Sequence, residues 1–279
     1  MTASDATGEL LVAVAQFAPG PDRAANLAAI GDLVRTAVLR GARLVVLPEY
    51  SAAFTPTPGP EWVANAEPLD GPFVAGLGNL ADELGVVLVA GLLEPAPGAA
   101  VDGHDRVHNT LVAVAPRAGV VATYRKQHLY DAFGSRESEW VAPGALGEPE
   151  LFEIEGVRFG LQTCYDVRFP EVSRMLVDAG ADAICMPAEW VPGPLKAFHW
   201  RSLVTARAIE NTVYVLAADH TAPGGVGESL VVDPMGVALA SLGERADAAV
   251  AALSLDRIAA VRRTNPALEL RRYRVEPAE

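Results

Sequence analysis

The sequence predicts an α/β fold, built either from one mixed sheet or from two stacked sheets with helices outside. Short apolar, β-branched runs alternate with segments of helical spacing in the first third of the chain, which is typical of α/β proteins. Antiparallel hairpins interrupt this alternation in the middle and near the end. The 279 residues are 51% hydrophobic and 20% charged, an ordinary globular composition.

The first third is predicted to contain three strands and two helices in alternation. "LLVAVAQFA" is an apolar run that ends at a Pro-Gly-Pro turn, and "NLAAIGDLVRTAVLRG" has helical spacing and stops at Gly41. The next three elements are the strand "ARLVVLPE", the helix "FVAGLGNLADELG" and the strand "VVLVAGLLE".

Hairpins and further α/β units follow. "VHNTLVAVAPRAGVVATYRKQHL" and "LFEIEGVRFGLQTC" each read as two strands around a turn. Helices are predicted in "FPEVSRMLVDAG" and "LKAFHWRSLVTARAIEN", and strands in "ADAICMP" and "TVYVLAADH". A last hairpin at Asp233-Pro234, a strand in "AAVAALSLD" and a helix close the chain. No linker divides the sequence, so we predict a single domain over residues 1–279, with residues 1–8 as a disordered tail.

Charge and cysteine content narrow the class of protein. The net charge is -13, with 22 basic and 35 acidic residues, which argues against a nucleic-acid partner. Two cysteines make no disulfide framework. The first ten residues lack a signal peptide's basic and apolar segments, and no apolar run is long enough for a membrane span. We therefore expect a cytoplasmic protein without a membrane partner.

Three predicted strands end in chemically reactive residues. "VVLPE" ends in Glu49, "VATYRK" in Lys126 and "FGLQTC" in Cys164. In α/β folds, functional groups gather beyond the carboxyl ends of strands. An ammonium group lowers the pKa of a nearby thiol, a carboxylate accepts its proton, and the same cation stabilises an oxyanion. Cys185, inside "DAICMP", is interpreted as a small buried hydrophobe.

Three segments resemble the motifs of the nitrilase superfamily, the carbon–nitrogen hydrolases. These are "LPEY", "YRKQHLYD" and "CYDVRFPE", in the family's order. "RESEWVAPG", "HWRSLVTARAIENTVYV" and "GESLVVDPMG" are also similar to family segments, so the resemblance runs from about Val12 to Arg274. It implies an α-β-β-α sandwich of two mixed sheets flanked by helices. It also implies a homodimer or a higher homo-oligomer.

The resemblance assigns residue roles as well. It implies a Glu49–Lys126–Cys164 triad, an oxyanion site that includes the backbone N–H of Tyr165, and a supporting glutamate. That glutamate is Glu137 on the family's pattern, although Glu139 lies two residues away. No metal and no cofactor are implied.

The cysteine motif also bears on the substrate. "CYDVRFPE" looks like the amidase branches, which include the ω-amidases and the deaminated-glutathione amidases, whereas typical nitrilases carry Trp-Glu after the cysteine. We expect a small linear amide that carries a carboxylate, and an N-carbamoyl compound or a nitrile is the alternative. Arg168 is a candidate for binding the carboxylate, or for an ion pair with Asp166. Glu189 and Trp190 are candidates for lining the pocket.

Rival readings remain at this point. His128 and His199 raise the possibility of a Cys–His hydrolase, which replacing each histidine would test. His104 and His108 lie four residues apart, but the segment reads as loop and strand, so a helical metal site is not predicted. The remaining alternative from a different class is a non-catalytic binding or scaffold protein.

Overall fold

The structure, a computed structural model, describes residues 8–278 and contains two six-stranded β-sheets. The strands of the first sheet are β1 (Glu9–Gln16), β2 (Leu44–Val46), β3 (Val87–Pro95), β4 (Val107–Ala115), β5 (Gly119–Arg125) and β12 (Asp247–Ser254). Those of the second are β6 (Leu151–Ile154), β7 (Val157–Leu161), β8 (Ala183–Pro187), β9 (Tyr214–Ala218), β10 (Leu230–Val232) and β11 (Ala238–Ser241).

Both sheets are mixed. The order in the first sheet is β12-β1-β2-β3-β4-β5, where β1, β2 and β3 are parallel and the other neighbours are antiparallel. The order in the second is β11-β10-β9-β8-β7-β6, with β7, β8 and β9 parallel. Parallel neighbours bring their carboxyl ends to one edge of each sheet, which is where the loops that bear the candidate residues emerge.

The helices are α1 (Arg23–Leu39), α2 (Pro60–Ala64), α3 (Pro72–Leu84), α4 (Pro170–Asp178), α5 (Lys196–Asn211) and α6 (Leu255–Thr264). Four of them, α1, α3, α4 and α5, cover the outer faces of the two sheets. Asp22 is the N-cap of α1, and its carboxylate accepts the N–H of Ala24 at 2.9 Å. Residues of α1 and α3 pack on the first sheet, and residues of α4 and α5 pack on the second. The fold is therefore an α-β-β-α sandwich, as expected.

Alternation along the strands separates the layers. In β1, Val12 and Val14 belong to the core between the two sheets, together with Phe159 of β7. Ala13 and Ala15 face the opposite way and pack with the residues of α1 and α3. This period of two is what a strand buried on both faces requires, and it explains why the strand sequences are apolar throughout.

The predicted elements agree with the structure within a few residues, with three differences. The strand predicted over residues 42–49 is only β2, so Glu49 lies in a loop. The strand predicted to end at Cys164 ends at Leu161. Helix α2 and two 3-10 helices, Glu137–Glu139 and Cys164–Arg168, were not predicted, because such short turns show no hydrophobic periodicity.

The sequence also led to expectations about a disordered N-terminal tail and about membrane-spanning segments. The predicted disordered tail covers residues 1–8, and residues 1–7 lie outside the described residues. None of the helices within residues 8–278 is long and apolar enough to cross a membrane.

Candidate active site

The loops after four strands meet at one cavity between the carboxyl edges of the sheets. Glu49 follows β2, Lys126 follows β5, Cys164 follows β7 and Glu189 follows β8. All four line a cavity of about 420 Å³, together with aromatic and proline side chains. Enclosed apolar pockets with a few convergent polar groups are the usual form of a small-molecule site.

Lys126 forms the centre of the buried polar cluster. Its Nζ lies 3.0 Å from Glu49 Oε1 and 2.9 Å from Glu137 Oε2, and all three side chains are almost completely buried. Of the two glutamates considered for the supporting role, Glu137 is the one that contacts Lys126. Glu139 instead contacts Arg136 at 3.5 Å, and its side chain is about half exposed.

Asn109 and Tyr50 complete the cluster, and sequence reasoning missed both. Asn109 Nδ2 donates to Glu49 Oε1 at 2.6 Å and to Glu137 Oε1 at 3.2 Å. The Tyr50 hydroxyl donates to Glu137 Oε1 at 2.8 Å. The available signal for Asn109 was a polar residue inside the otherwise apolar strand β4, and buried polar groups of this kind need partners. These contacts fix the orientation of both carboxylates.

The cluster sets the protonation of its members. Burial raises the pKa of Glu49, with Glu137 reinforcing the shift and Lys126 opposing it. Burial alone would lower the pKa of Lys126, but the charges of Glu137 and Glu49 outweigh it, so this pKa is raised well above its ordinary value. The ammonium group therefore stays charged, while the Glu49 carboxylate is a better proton acceptor than an exposed glutamate.

Cys164 is the first residue of its 3-10 helix and has a left-handed backbone conformation, with φ of 44°. Such a conformation is unfavourable for a non-glycine residue, and it is tolerated where the surroundings hold it. The thiol is buried, and its Sγ donates to the backbone oxygen of Glu189 at 3.3 Å. The backbone N–H of Glu189 in turn donates to Glu49 Oε2 at 2.6 Å. Residue 189 therefore connects the thiol to the carboxylate.

The pKa of Cys164 differs from the expectation. Lys126 lowers this pKa as predicted, but burial and the charge of Glu49 outweigh it, and the pKa of Cys164 is raised well above its usual range. The thiol is therefore protonated at rest, because a buried thiolate beside a carboxylate is costly. Ionisation has to accompany attack on a substrate.

Asp166 holds the turn that bears Cys164. Its buried carboxylate accepts the hydroxyl of Tyr124 at 2.8 Å, the backbone N–H of Thr163 at 3.2 Å and the backbone N–H of His128 at 3.0 Å. The ion pair with Arg168, one of two alternatives for that arginine, is absent from the salt bridges of residues 8–278. The Asp166 carboxylate is already occupied by a donor of its own turn, Thr163, and by donors of the Tyr124 and His128 segment.

The candidate substrate-binding residues divide into two groups. Glu189 and Trp190 line the cavity. The Arg168 guanidinium lies over the Trp190 ring, 4.9 Å from its centroid, and is not among the described cavity-lining side chains. Lys196, which sequence reasoning missed, lines the cavity instead. Burial raises the pKa of Glu189 well above its usual range, with Glu49 and Asp219 adding to the shift.

The histidines have partners other than the thiol. His128 Nδ1 lies 2.8 Å from Asp166 Oδ1, and its ring stacks on Phe169 at 3.8 Å. His199 Nδ1 lies 3.4 Å from an Arg168 nitrogen. His220, at the end of the β9 segment, donates from Nε2 to the backbone oxygen of Glu49 at 2.6 Å. Burial lowers the pKa of His220 to about 4, so it supports the Glu49 loop as a neutral ring.

The chain is similar to proteins of one family. The family model described as carbon-nitrogen hydrolase matches residues 11–263. A hydrolase of Mycobacterium tuberculosis strain H37Rv is 39% identical over 267 residues, which are 90% of this chain and 91% of that protein. The deaminated glutathione amidase of Escherichia coli O157:H7 is 36% identical and covers 95% of this chain and 98% of its own length.

A solved structure from the nitrilase superfamily is also similar to this chain. Saccharomyces cerevisiae Nit3, described as a member of branch 10 of the nitrilase superfamily, superimposes with a TM-score of 0.83 at 26% identity. The alignment covers 98% of this chain and 100% of that one. The matched family region contains the Glu49, Lys126, Glu137 and Cys164 cluster. The chain is a member of the carbon–nitrogen hydrolase family and, by its amidase-named relatives, an amidase-type hydrolase.

Proposed function

We propose that this protein hydrolyses small linear amides through a thioester on Cys164 and releases ammonia. The observation that carries the proposal is the contact of Lys126 Nζ with Glu49 at 3.0 Å and with Glu137 at 2.9 Å, in the cavity that Cys164 also lines. A base, a cation and a nucleophile thus face one enclosed space, which is the set that covalent acyl transfer requires.

In the first half of the reaction, Cys164 attacks the amide carbonyl while Glu49 accepts the thiol proton. The raised pKa of the thiol makes this coupled transfer necessary, and the raised pKa of Glu49 makes the carboxylate a suitable acceptor. The tetrahedral oxyanion is stabilised by the Lys126 ammonium group and the backbone N–H of Tyr165. Glu49 then passes the proton to the departing nitrogen, the carbon–nitrogen bond breaks and ammonia leaves.

In the second half, water hydrolyses the thioester. Glu49 removes a proton from the water as the water oxygen attacks the acyl carbon. The same oxyanion site holds the second tetrahedral intermediate. The carbon–sulfur bond breaks, the thiol regains its proton from Glu49, and the carboxylic acid product leaves. Glu137 and Asn109 hold Lys126 and Glu49 in place through direct contacts. Tyr50 in turn holds Glu137 and Asn109 through its hydroxyl.

The amide is favoured over the other substrates of the superfamily by the residues beside the thiol. Tyr165 and Asp166 follow Cys164 where typical nitrilases carry Trp-Glu. The buried Asp166 carboxylate accepts hydrogen bonds that hold the Cys164 turn in place. The 36% identity to a deaminated glutathione amidase supports the same branch. N-carbamoyl compounds remain the second candidate substrate.

The experiment compares ammonia release from succinamate, glutaramate, an N-carbamoyl amino acid and a nitrile by wild type and by Cys164→Ala. We expect an amide to be the best substrate and the variant to lose at least about a thousandfold in rate, because the nucleophile is removed. Cys185→Ala is the matched control, since Cys185 is completely buried in the core between the sheets. It should retain its rate.

Other outcomes identify the alternatives. Unchanged release by Cys164→Ala would refute the thioester. Loss of acylation on replacing His128 or His199 would instead indicate a Cys–His pair. If iodoacetamide modified Cys164 and Cys185 equally slowly and no amide were hydrolysed, a binding or scaffold protein would be the better description.

A further inference from the structure

The whole chain contains two lysines, Lys126 and Lys196, and both line the cavity. All other basic residues apart from histidine are arginines. Lys126 is neutralised by two carboxylates. No carboxylate oxygen within residues 8–278 lies within salt-bridge distance of Lys196. The second lysine is therefore a cation without a counter-ion in the described cavity wall.

The surroundings of Lys196 explain how a cation is tolerated there. The residue is only 6% exposed, and its Nζ donates to the Tyr130 hydroxyl at 3.3 Å. The same Nζ lies 4.7 Å from the Trp190 ring centroid and 5.0 Å from those of Tyr130 and Phe133. Contact with aromatic faces offsets part of the cost of burying an ammonium group.

This environment leaves hydrogen-bonding capacity unused. An ammonium group has three N–H donors, and one of them reaches Tyr130. In the described part of the chain, the other two have no acceptor. Burial lowers the pKa of Lys196, although the charge of Cys164 opposes the shift, and a bound anion would reverse it. Lys196 is also the first residue of α5, and the start of a helix favours negative charge.

We infer that Lys196 binds the carboxylate of an amide substrate whose other end is attacked by Cys164. This inference rests on the proposed function and deepens it by naming the side chain that binds the carboxylate at the far end of the substrate. Tyr130 stands beside the ammonium group and offers its hydroxyl to the same anion. Both side chains line the cavity that contains the thiol.

The assignment changes the role expected for Arg168. Its guanidinium stacks on Trp190 and approaches His199, and it is not among the described residues that line the cavity. Arg168 adds positive potential behind the ring, whereas Lys196 supplies the direct contact. A purely structural role for Lys196 is the competing explanation, and it predicts a loss of stability without any preference for anionic ligands.

The first test measures binding alone, so it does not depend on turnover. Calorimetry at neutral pH compares glutarate binding to Cys164→Ala and to Cys164→Ala/Lys196→Met. We expect at least about tenfold weaker binding without the ammonium group, because charge-assisted hydrogen bonds are lost. Lys196→Arg should bind more tightly than Lys196→Met. Arg263→Met, which removes an equal charge from an exposed position in α6, should bind as Cys164→Ala does in that background.

The second test uses a matched pair of substrates. Glutaramate and pentanamide differ in having a carboxylate or a methyl group at the far end. We expect Lys196→Met to lower kcat/KM for glutaramate at least about tenfold more than it lowers kcat/KM for pentanamide, with the difference in KM. Equal losses on both substrates, together with a lower melting temperature, would overturn the inference in favour of a structural role.

The two proposals fail in different ways. If no amide is hydrolysed but glutarate binding depends on Lys196, the proposed function is wrong and the carboxylate site stands. If amides are hydrolysed but glutarate binds equally with and without Lys196, the carboxylate site is wrong and the proposed function stands. Failure of the Cys164→Ala protein to bind glutarate at millimolar concentration would also refute the carboxylate site.

Discussion

At the scale of single residues, one ammonium group shared by two carboxylates sets the proton balance of the cavity. Lys126 contacts Glu49 and Glu137, and burial raises the pKa of Glu49. The thiol of Cys164 stays protonated for the same reason. At rest the proton is on the Cys164 thiol, and the Glu49 carboxylate can accept it. We therefore expect the reaction rate to depend on the ionisation of Glu49.

The pH profile of kcat/KM tests this dependence. Activity should fall as the pH drops through the pKa of Glu49, and this acidic limb should lie above the ordinary glutamate value of about 4.3. Glu137→Gln should move the limb to lower pH, because the charge of Glu137 raises the pKa of Glu49. An acidic limb that moves to higher pH, or does not move, would contradict the assignment of Glu49 as the base.

At the scale of elements, two features hold the loops in place: a buried carboxylate and a glycine in a strand. Asp166 ties the Cys164 turn to Tyr124 in β5 and to the loop of His128. Gly91 in β3 lies against the Glu49 loop, where its oxygen accepts the N–H of Ala52 at 3.1 Å. The reactive residues therefore depend on two residues that are not among the described residues that line the cavity.

Replacing Asp166 tests whether its buried carboxylate holds the Cys164 turn in place. Asp166→Ala should lower the free energy of unfolding by about 2–4 kcal/mol, because it leaves buried donors without an acceptor. Arg168→Ala should cost less, since Arg168 does not pair with Asp166. Urea denaturation of both variants measures the difference. Equal costs that are not additive in the double variant would indicate the Asp166–Arg168 ion pair, one of the two alternatives that the sequence left open.

Replacing Gly91 tests whether its close contact with the Glu49 loop holds that loop in place. A Cβ on Gly91 would lie 2.7 Å from the Tyr50 backbone nitrogen and 2.9 Å from Glu49 Cα, so the loop has to move. Gly91→Ala should destabilise the protein by about 1–3 kcal/mol and lower kcat at least about tenfold. Gly78→Ala in α3 is the control, because a Cβ there meets nothing within 4 Å. It should leave kcat unchanged, and a similar loss in both variants would refute the role of the close contact.

At the scale of the whole molecule, the sandwich determines which loops can meet. Glu49 and Lys126 follow strands of the first sheet, and Cys164 and Glu189 follow strands of the second. Only the packing of the two sheets, through the apolar core that contains Val12 and Phe159, brings these residues to one cavity. The net charge of -13 makes the positive wall at Lys196 a local feature of an acidic protein.

The family resemblance leads us to expect a homodimer. Several large apolar side chains are exposed near the turn between β10 and β11, including Met235 at 51% and Val237 at 52%. Exposed apolar groups of this kind often mark contacts between proteins. Light scattering should give twice the mass of one chain at micromolar concentration. A monomer mass that persists at higher concentration would rule the dimer out.

The sequence by itself determined most helices and strands of this protein and the residues with reactive groups. Hydrophobic runs, helical spacing and turn residues placed most helices and strands, because these patterns follow from local geometry. Reactive residues beyond strand ends pointed to Glu49, Lys126 and Cys164, and the motif resemblance added Glu137. The α-β-β-α arrangement came from the resemblance, since the strand pattern alone left one mixed sheet or two stacked sheets open.

Only the tertiary structure determined which side chains contact the reactive residues. Asn109, Tyr50, His220 and Lys196 look like ordinary strand, loop and helix residues in the sequence, and they meet the site through contacts between distant segments. Of the two alternatives that the sequence left open for Arg168, the ion pair with Asp166 is absent for the same reason. The direction of the Cys164 pKa shift was also decided by burial, which depends on how the two sheets close around the thiol, and no local pattern encodes that.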